Sequence, residues 1–82
     1  MTEKFKEFAR EVNSNLISDV THELDESYNI KVEKDGETLM IPVTELQKYY
    51  QLYSMGRKSF SQTITKAATI INKTIIQWYN LE

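Results

Sequence analysis

The chain has 82 residues, 40 % of them hydrophobic and 27 % charged, with a formal net charge of −2. That length makes a single domain, residues 1–82, with a small core, and the absence of cysteine excludes disulfides and thiolate-bound metals. No apolar run reaches the ~18 residues of a membrane span, and the opening MTEKFKEFAREV carries charge throughout where a signal peptide needs an apolar stretch, so a cytoplasmic protein is expected.

A first helix is expected over residues 2 to about 26. Phe5, Phe8, Ala9, Val12, Leu16, Val20 and Leu24 step by one, three or four and fall on one stripe. Asn13-Ser14-Asn15 is poor helix material, but the stripe keeps its phase across it, so a bend is the most those residues should cause.

YNIKVEKDGETLMIPV predicts a β-hairpin with strands at about 28–34 and 37–43. Asp35-Gly36 suits a two-residue type I′ turn, in which both central residues take positive φ. That turn sets Val32 opposite Leu39, Ile30 opposite Ile41 and Tyr28 opposite Val43, all apolar and on one face. Pro42 has no N–H to give a ladder, so its position should point off the sheet.

Thr44 with Gln47 three residues later reads as a capping box opening a second helix at about 45–55, with Leu46, Tyr49, Tyr50 and Tyr53 facing inward. Gly56 is placed to stop it. A third helix, about 60–80, follows a cap at Ser59 or Ser61, and Phe60, Ile64, Ala67, Ala68, Ile71, Ile75 and Trp78 form its inner stripe. Ile70 and Ile76 widen that stripe beyond the needs of one neighbour. Those two residues, with two helices each over 30 Å long, raise the case for a homodimer. The fold class is therefore α+β: helix, hairpin, helix, helix, with a two-stranded antiparallel sheet packed on the helices.

Charge is unevenly placed: five basic residues face eleven acids in residues 1–45, and five face one in residues 46–82. Such asymmetry marks a partner-binding pole or two halves that complement each other.

Nothing in the spacing selects a catalytic set. His22, the single histidine, falls on the polar side of the expected first helix beside Ser18, Asp25 and Glu26, which is too little for a metal centre. There is no serine in a Gly-x-Ser-x-Gly elbow, and two glycines cannot form a phosphate-cradling loop. No enzyme activity, cofactor or metal is expected.

Gly56 between two helical patterns invites comparison with a helix-turn-helix, whose second helix would present Ser59, Gln62, Lys66, Thr69 and Lys73. Against it, Leu52 stands where that motif wants a small residue, Arg57 stands where it wants an apolar one, and the chain is slightly acidic. The leading expectation is a small non-enzymatic regulatory protein that binds and modulates a larger protein or complex, as an inhibitor does. Its surfaces would be Lys48, Tyr53, Arg57, Lys58, Lys66 and Lys73, with Ile30–Lys34 as an edge strand open to another strand. The alternative is a DNA-binding regulator using the third helix. In its Lys, Ile, Asn, Thr and Tyr content the chain resembles small accessory proteins of phages and mobile elements in low-GC bacteria, a likeness of composition without a motif.

Overall fold

A computed structural model of the chain describes residues 1–80. Helix α1 spans Glu3–Ser14, strands β1, β2 and β3 span Thr21–Leu24, Ile30–Lys34 and Glu37–Ile41, and helices α2 and α3 span Val43–Ser54 and Phe60–Asn80. The strands form one antiparallel sheet in the order β1-β2-β3. The helices cover one face of that sheet, and the radius of gyration is 12.5 Å. This is an α+β domain, with three strands where two were expected.

The largest departure from expectation is at residues 15–26. The expected helix over 2–26 ends at Ser14, where side chains compete for two carbonyls of the last turn and the Asn15 and Leu16 amides close on Val12 and Asn13. Ser14 Oγ donates to the Arg10 carbonyl at 2.9 Å and Asn15 Nδ2 to that of Glu11 at 2.7 Å, the competition with the backbone that makes such residues helix breakers. Asn72 of α3 then fixes the departing chain. Its Oδ1 accepts the Ile17 amide at 2.9 Å and its Nδ2 donates to the Asn15 carbonyl at 3.3 Å. Val20 and Leu24 are four apart, a spacing that suits a helix face and equally a strand face carrying residues 20, 22 and 24. The structure takes the second option: Val20, His22 and Leu24 are half-buried, and Thr21 and Glu23 are exposed.

The hairpin follows the expected register, with Ile30 opposite Ile41, Val32 opposite Leu39 and Lys34 opposite Glu37. Asp35 and Gly36 have φ of 49° and 84°, as a type I′ turn requires. The strands are shorter than 28–34 and 37–43 because Tyr28 and Val43 do not pair. Tyr28 sits at φ 66° in the β1–β2 turn, and Val43 is the first residue of α2. Strand β2, expected as an open edge, is the central strand, since β1 pairs with its far side. The open edges are β1 and β3.

Thr44 is not the cap of α2. The helix starts at Val43, two residues before the expected 45, Pro42 occupies the cap position without a side-chain bond, and the Val43 amide is taken by Asn29 Oδ1 at 2.8 Å. Gly56, at φ 75°, ends α2 as expected: its own amide reaches the Tyr53 carbonyl at 2.9 Å and the Arg57 amide reaches that of Leu52 at 2.8 Å. The cap of α3 is Ser59. Its Oγ accepts the Gln62 amide at 3.1 Å while Gln62 Oε1 accepts the Ser59 amide at 3.0 Å, a reciprocal capping box.

The core joins Phe5, Phe8, Ala9 and Val12 of α1 and Leu16 to Ile30, Val32 and Ile41 of the sheet, Leu46 and Tyr49 of α2, and Ala67, Ala68, Ile71 and Ile75 of α3. Thr63 is fully buried there and donates its hydroxyl to the Ser59 carbonyl at 2.8 Å. Phe5, Phe8, Tyr50, Tyr53 and Phe60 form a chain of aromatic contacts, with successive centroids 5.1–6.2 Å apart, that binds the three helices at one end. At the other end Lys34 Nζ lies 4.0 Å from the Tyr79 ring and donates to the Tyr79 carbonyl at 2.9 Å, so α3 runs from the aromatic cluster to the hairpin turn.

Candidate functional site

The basic residues singled out from sequence lie on two neighbouring surfaces. Arg57 and Lys58 are exposed in the α2–α3 turn, where their amides close the end of α2 on the Leu52 carbonyl. Tyr53 is half-buried between Tyr50 and Phe60. Lys4 of α1, which no local sequence pattern places here, reaches the same corner: its Nζ stands 4.1 Å from the Phe60 ring and 3.8 Å from Glu7 Oε1.

Lys66 and Lys73 form a second surface on α3. Lys66 stands four residues before Ile70 and Lys73 three after it, so both flank Ile70 on one helix surface. Lys48 of α2 is exposed and its Nζ lies 5.7 Å from the Tyr49 ring. These lysines, with Arg57 and Lys58, are the five basic residues of the second half, and among the described residues none has a carboxylate partner within 4 Å. The two ion pairs among the described residues, Lys4–Glu7 and Lys6–Glu3, are both within α1. The charge asymmetry between the halves is therefore not consumed by pairing across the fold.

Where β3, α2 and α3 meet lies a groove of about 150 Å³, lined by Leu39, Ile41 and Pro42 at the β3 edge, Glu45 and Tyr49 of α2, and Ile70 and Thr74 of α3, with none of these lysines in its lining. Its walls are mainly apolar, with Glu45 the one carboxylate among them. It runs beside the open edge of β3. A two-residue turn makes its flanking pair, Lys34 and Glu37, hydrogen-bonded, and alternation gives the same role to Leu39 and Ile41. The N–H and C=O groups of Thr38 and Met40 therefore point away from β2, into the space along the groove. Pro42 follows in the same outward phase and ends the free edge. From sequence, Ile70 reads as surplus apolar surface and Tyr49 as part of an inward face. Joining them to β3 needs the packing angle of α3 on the sheet, which no local pattern carries.

Other candidates carry less. His22 is not on a helix: it faces inward from β1, half-buried, with Nδ1 2.9 Å from Asn13 Oδ1. Asp25, Glu26 and His22 do not converge, and among the described residues no group of three metal-ligating side chains comes together. Asp25 is a structural carboxylate. The backbone amide of Asn29, the Asn29 side chain and the Ser27 amide donate to it, and with the charge of Lys31 they hold its pKa below the usual 3.8 against a smaller opposing effect of burial. Gln62, a candidate for reading bases, has its oxygen engaged in the cap of α3. No helix of the described residues is long and apolar enough to cross a membrane. Comparison with protein-family models, with curated proteins and with solved structures gives no match to this chain.

Proposed function

We propose that this chain is a small non-enzymatic interaction module that binds and modulates a larger protein, with its partner seated along the β3 edge. The observation that carries this reading is the apolar groove beside an unpaired strand edge. A strand edge with free N–H and C=O groups offers affinity through the main chain, and adjacent pockets offer choice among side chains. The lack of cysteine fits action in a reducing cytoplasm, and a role as an accessory protein of a phage or mobile element is in keeping with the composition.

Thr74 tests this reading without touching the core, because it is exposed and lines the groove. Thr74→Trp fills the groove. Affinity capture from source-cell lysate should retain a protein on the wild-type chain and lose it on the variant. Capture of the same set by both would contradict the reading.

A DNA-binding regulator using α3 is the second reading, favoured by the unpaired row Lys66, Thr69 and Lys73. It requires duplex binding that weakens steeply with salt and disappears when both lysines become alanine. Absence of binding at low salt removes it.

A further inference from the structure

We infer that residues 18–28 form a strap that opens as one unit while the rest of the fold stays packed, and that its opening turns β2 into a free strand edge. The strap sits at the far edge of the sheet from β3, so its opening does not depend on what docks there.

Between Leu16 and Ile30, both buried, no residue is buried. Each helix, and each of the other two strands, buries at least one. The apolar area that holds an element in place is therefore smallest here, and elements of that kind open at lower free energy than the whole domain. Strand β1 is also held along one side only. The Asp25 amide donates to the Asn29 carbonyl at 2.9 Å. By alternation Thr21 and Glu23 turn their amides and carbonyls to β2, opposite Glu33 and Lys31, while His22 and Leu24 turn theirs away from it.

Both ends of this segment are fixed to helices. The Ile17 amide is held by Asn72 of α3, and Asn29 holds the Val43 amide of α2. Between those ties the attachments to α1 are thin. His22 Nδ1 lies 2.9 Å from Asn13 Oδ1, and the Tyr28 ring stands 6.0 Å from Lys6 Nζ. The β1–β2 turn is strained as well. The Tyr28 amide reaches the Asp25 carbonyl at 3.0 Å, and Tyr28 itself sits at φ 66°. That is the left-handed position of a three-residue hairpin turn, where glycine is usual. A bulky side chain is an outlier there, and opening releases the strain it holds. Fixed ends with a strained and shallowly packed middle make a strap, not a frayed end.

Opening leaves the three helices and the β2–β3 hairpin joined through Leu16, Ile30, Val32 and the buried helix residues. It frees the amides and carbonyls of Lys31 and Glu33, so β2 then presents the strand edge that β1 covers in the closed state.

Amide hydrogen exchange of the ¹⁵N-labelled full chain tests this directly. Protection should alternate along β2. It should be high at Ile30 and Val32, whose amides face β3, and lower at Lys31 and Glu33, which should match Thr21 and Glu23. Leu24→Ala should speed the exchange of Thr21, Glu23, Lys31 and Glu33 by one common factor, because all four exchange through an opening that exposes Leu24. Ile71→Val, in the core beside the β3 groove, should speed Ile30 and Val32 about two- to tenfold and leave the other four unchanged. Equal protection on the two sides of β2 overturns the inference. So does an Ile71→Val variant in which all six amides speed up together, since the sheet then opens only with the whole domain. Insensitivity of the four strap amides to Leu24→Ala also overturns it, since they then exchange by the breaking of single bonds.

Discussion

Asn29 Oδ1 holds the Val43 amide at 2.8 Å and so joins the start of β2 to the first turn of α2. The same side chain donates to Asp25 Oδ2 at 3.1 Å. One asparagine thus caps a helix fourteen residues away and ties that helix to the β1–β2 turn. Because α2 forms one wall of the groove, the placement of Glu45 and Tyr49 depends on this bond.

Asn29→Ala should lower stability by about 1–2 kcal/mol, the scale of a lost helix cap, and Tm by several degrees. Thr44→Ala, at the residue that local pattern marks as the cap, should stay within about 0.5 kcal/mol of wild type. Thermal melts of the two variants decide between the two caps.

Asp25 gives a pH signature. Its carboxyl ionises more readily in the folded chain than in the unfolded one, so the ionised form favours the fold. That contribution is complete above the ordinary value of 3.8 and is lost as pH falls through the lower folded value. Asp25→Asn should be less stable than wild type at neutral pH, and the gap should close below a pH of about 4. Urea midpoints across that range supply the check. A constant gap would mean that the carboxylate charge is not what the Asn29 and Ser27 amides recognise.

Asn72 tests what fixes the chain as it leaves α1. It satisfies the Ile17 amide and the Asn15 carbonyl from α3, and without it a half-buried amide loses its partner. Asn72→Ala should cost about 1–3 kcal/mol even though alanine is the better helix former. Asn72→Asp keeps the acceptor for Ile17 and should recover part of the loss. Denaturation midpoints for the pair distinguish this bond from general helix propensity.

A methyl group on Gly56 would meet no atom within 4 Å, so space is not what selects glycine there; its φ of 75° is. Gly56→Ala should therefore cost about 1–2 kcal/mol through backbone strain alone, with Gly56→Asn milder, since asparagine tolerates that conformation. Equal melts for alanine and asparagine would contradict this.

Much of the fold is legible in local signals. The hairpin register follows from Asp35-Gly36 and the apolar pairs, because a one-residue slip would turn Ile30 and Val32 outward. The stop at Gly56 and the length of α3 are equally local. Local reasoning fails where two periods coincide or where a remote side chain decides. Val20 and Leu24 fit a helix and a strand alike, and Asn72, more than fifty residues on, selects the strand. Thr44-Glu45-Leu46-Gln47 has the form of a cap, but the helix starts at Val43, two residues before the expected 45, with its first amide held by Asn29. Of the candidate surfaces, the lysines and Tyr53 can be named from sequence, and Arg57 and Lys58 placed at the turn. The groove cannot, since it arises where β3, α2 and α3 meet. The shortening of α1 also removes one of the two grounds for a homodimer, leaving Ile70, now in the groove wall, and Ile76, 44 % exposed near the end of α3.

Amide hydrogen exchange along β3 tests the central claim most directly. In the free protein the Leu39 and Ile41 amides should be protected and those of Thr38 and Met40 should exchange rapidly. Addition of a groove-binding peptide should slow Thr38 and Met40 and leave Leu39 and Ile41 as they were. Protection of Thr38 and Met40 in the free protein, or their continued rapid exchange with peptide bound, would contradict the assignment of β3 as the docking edge.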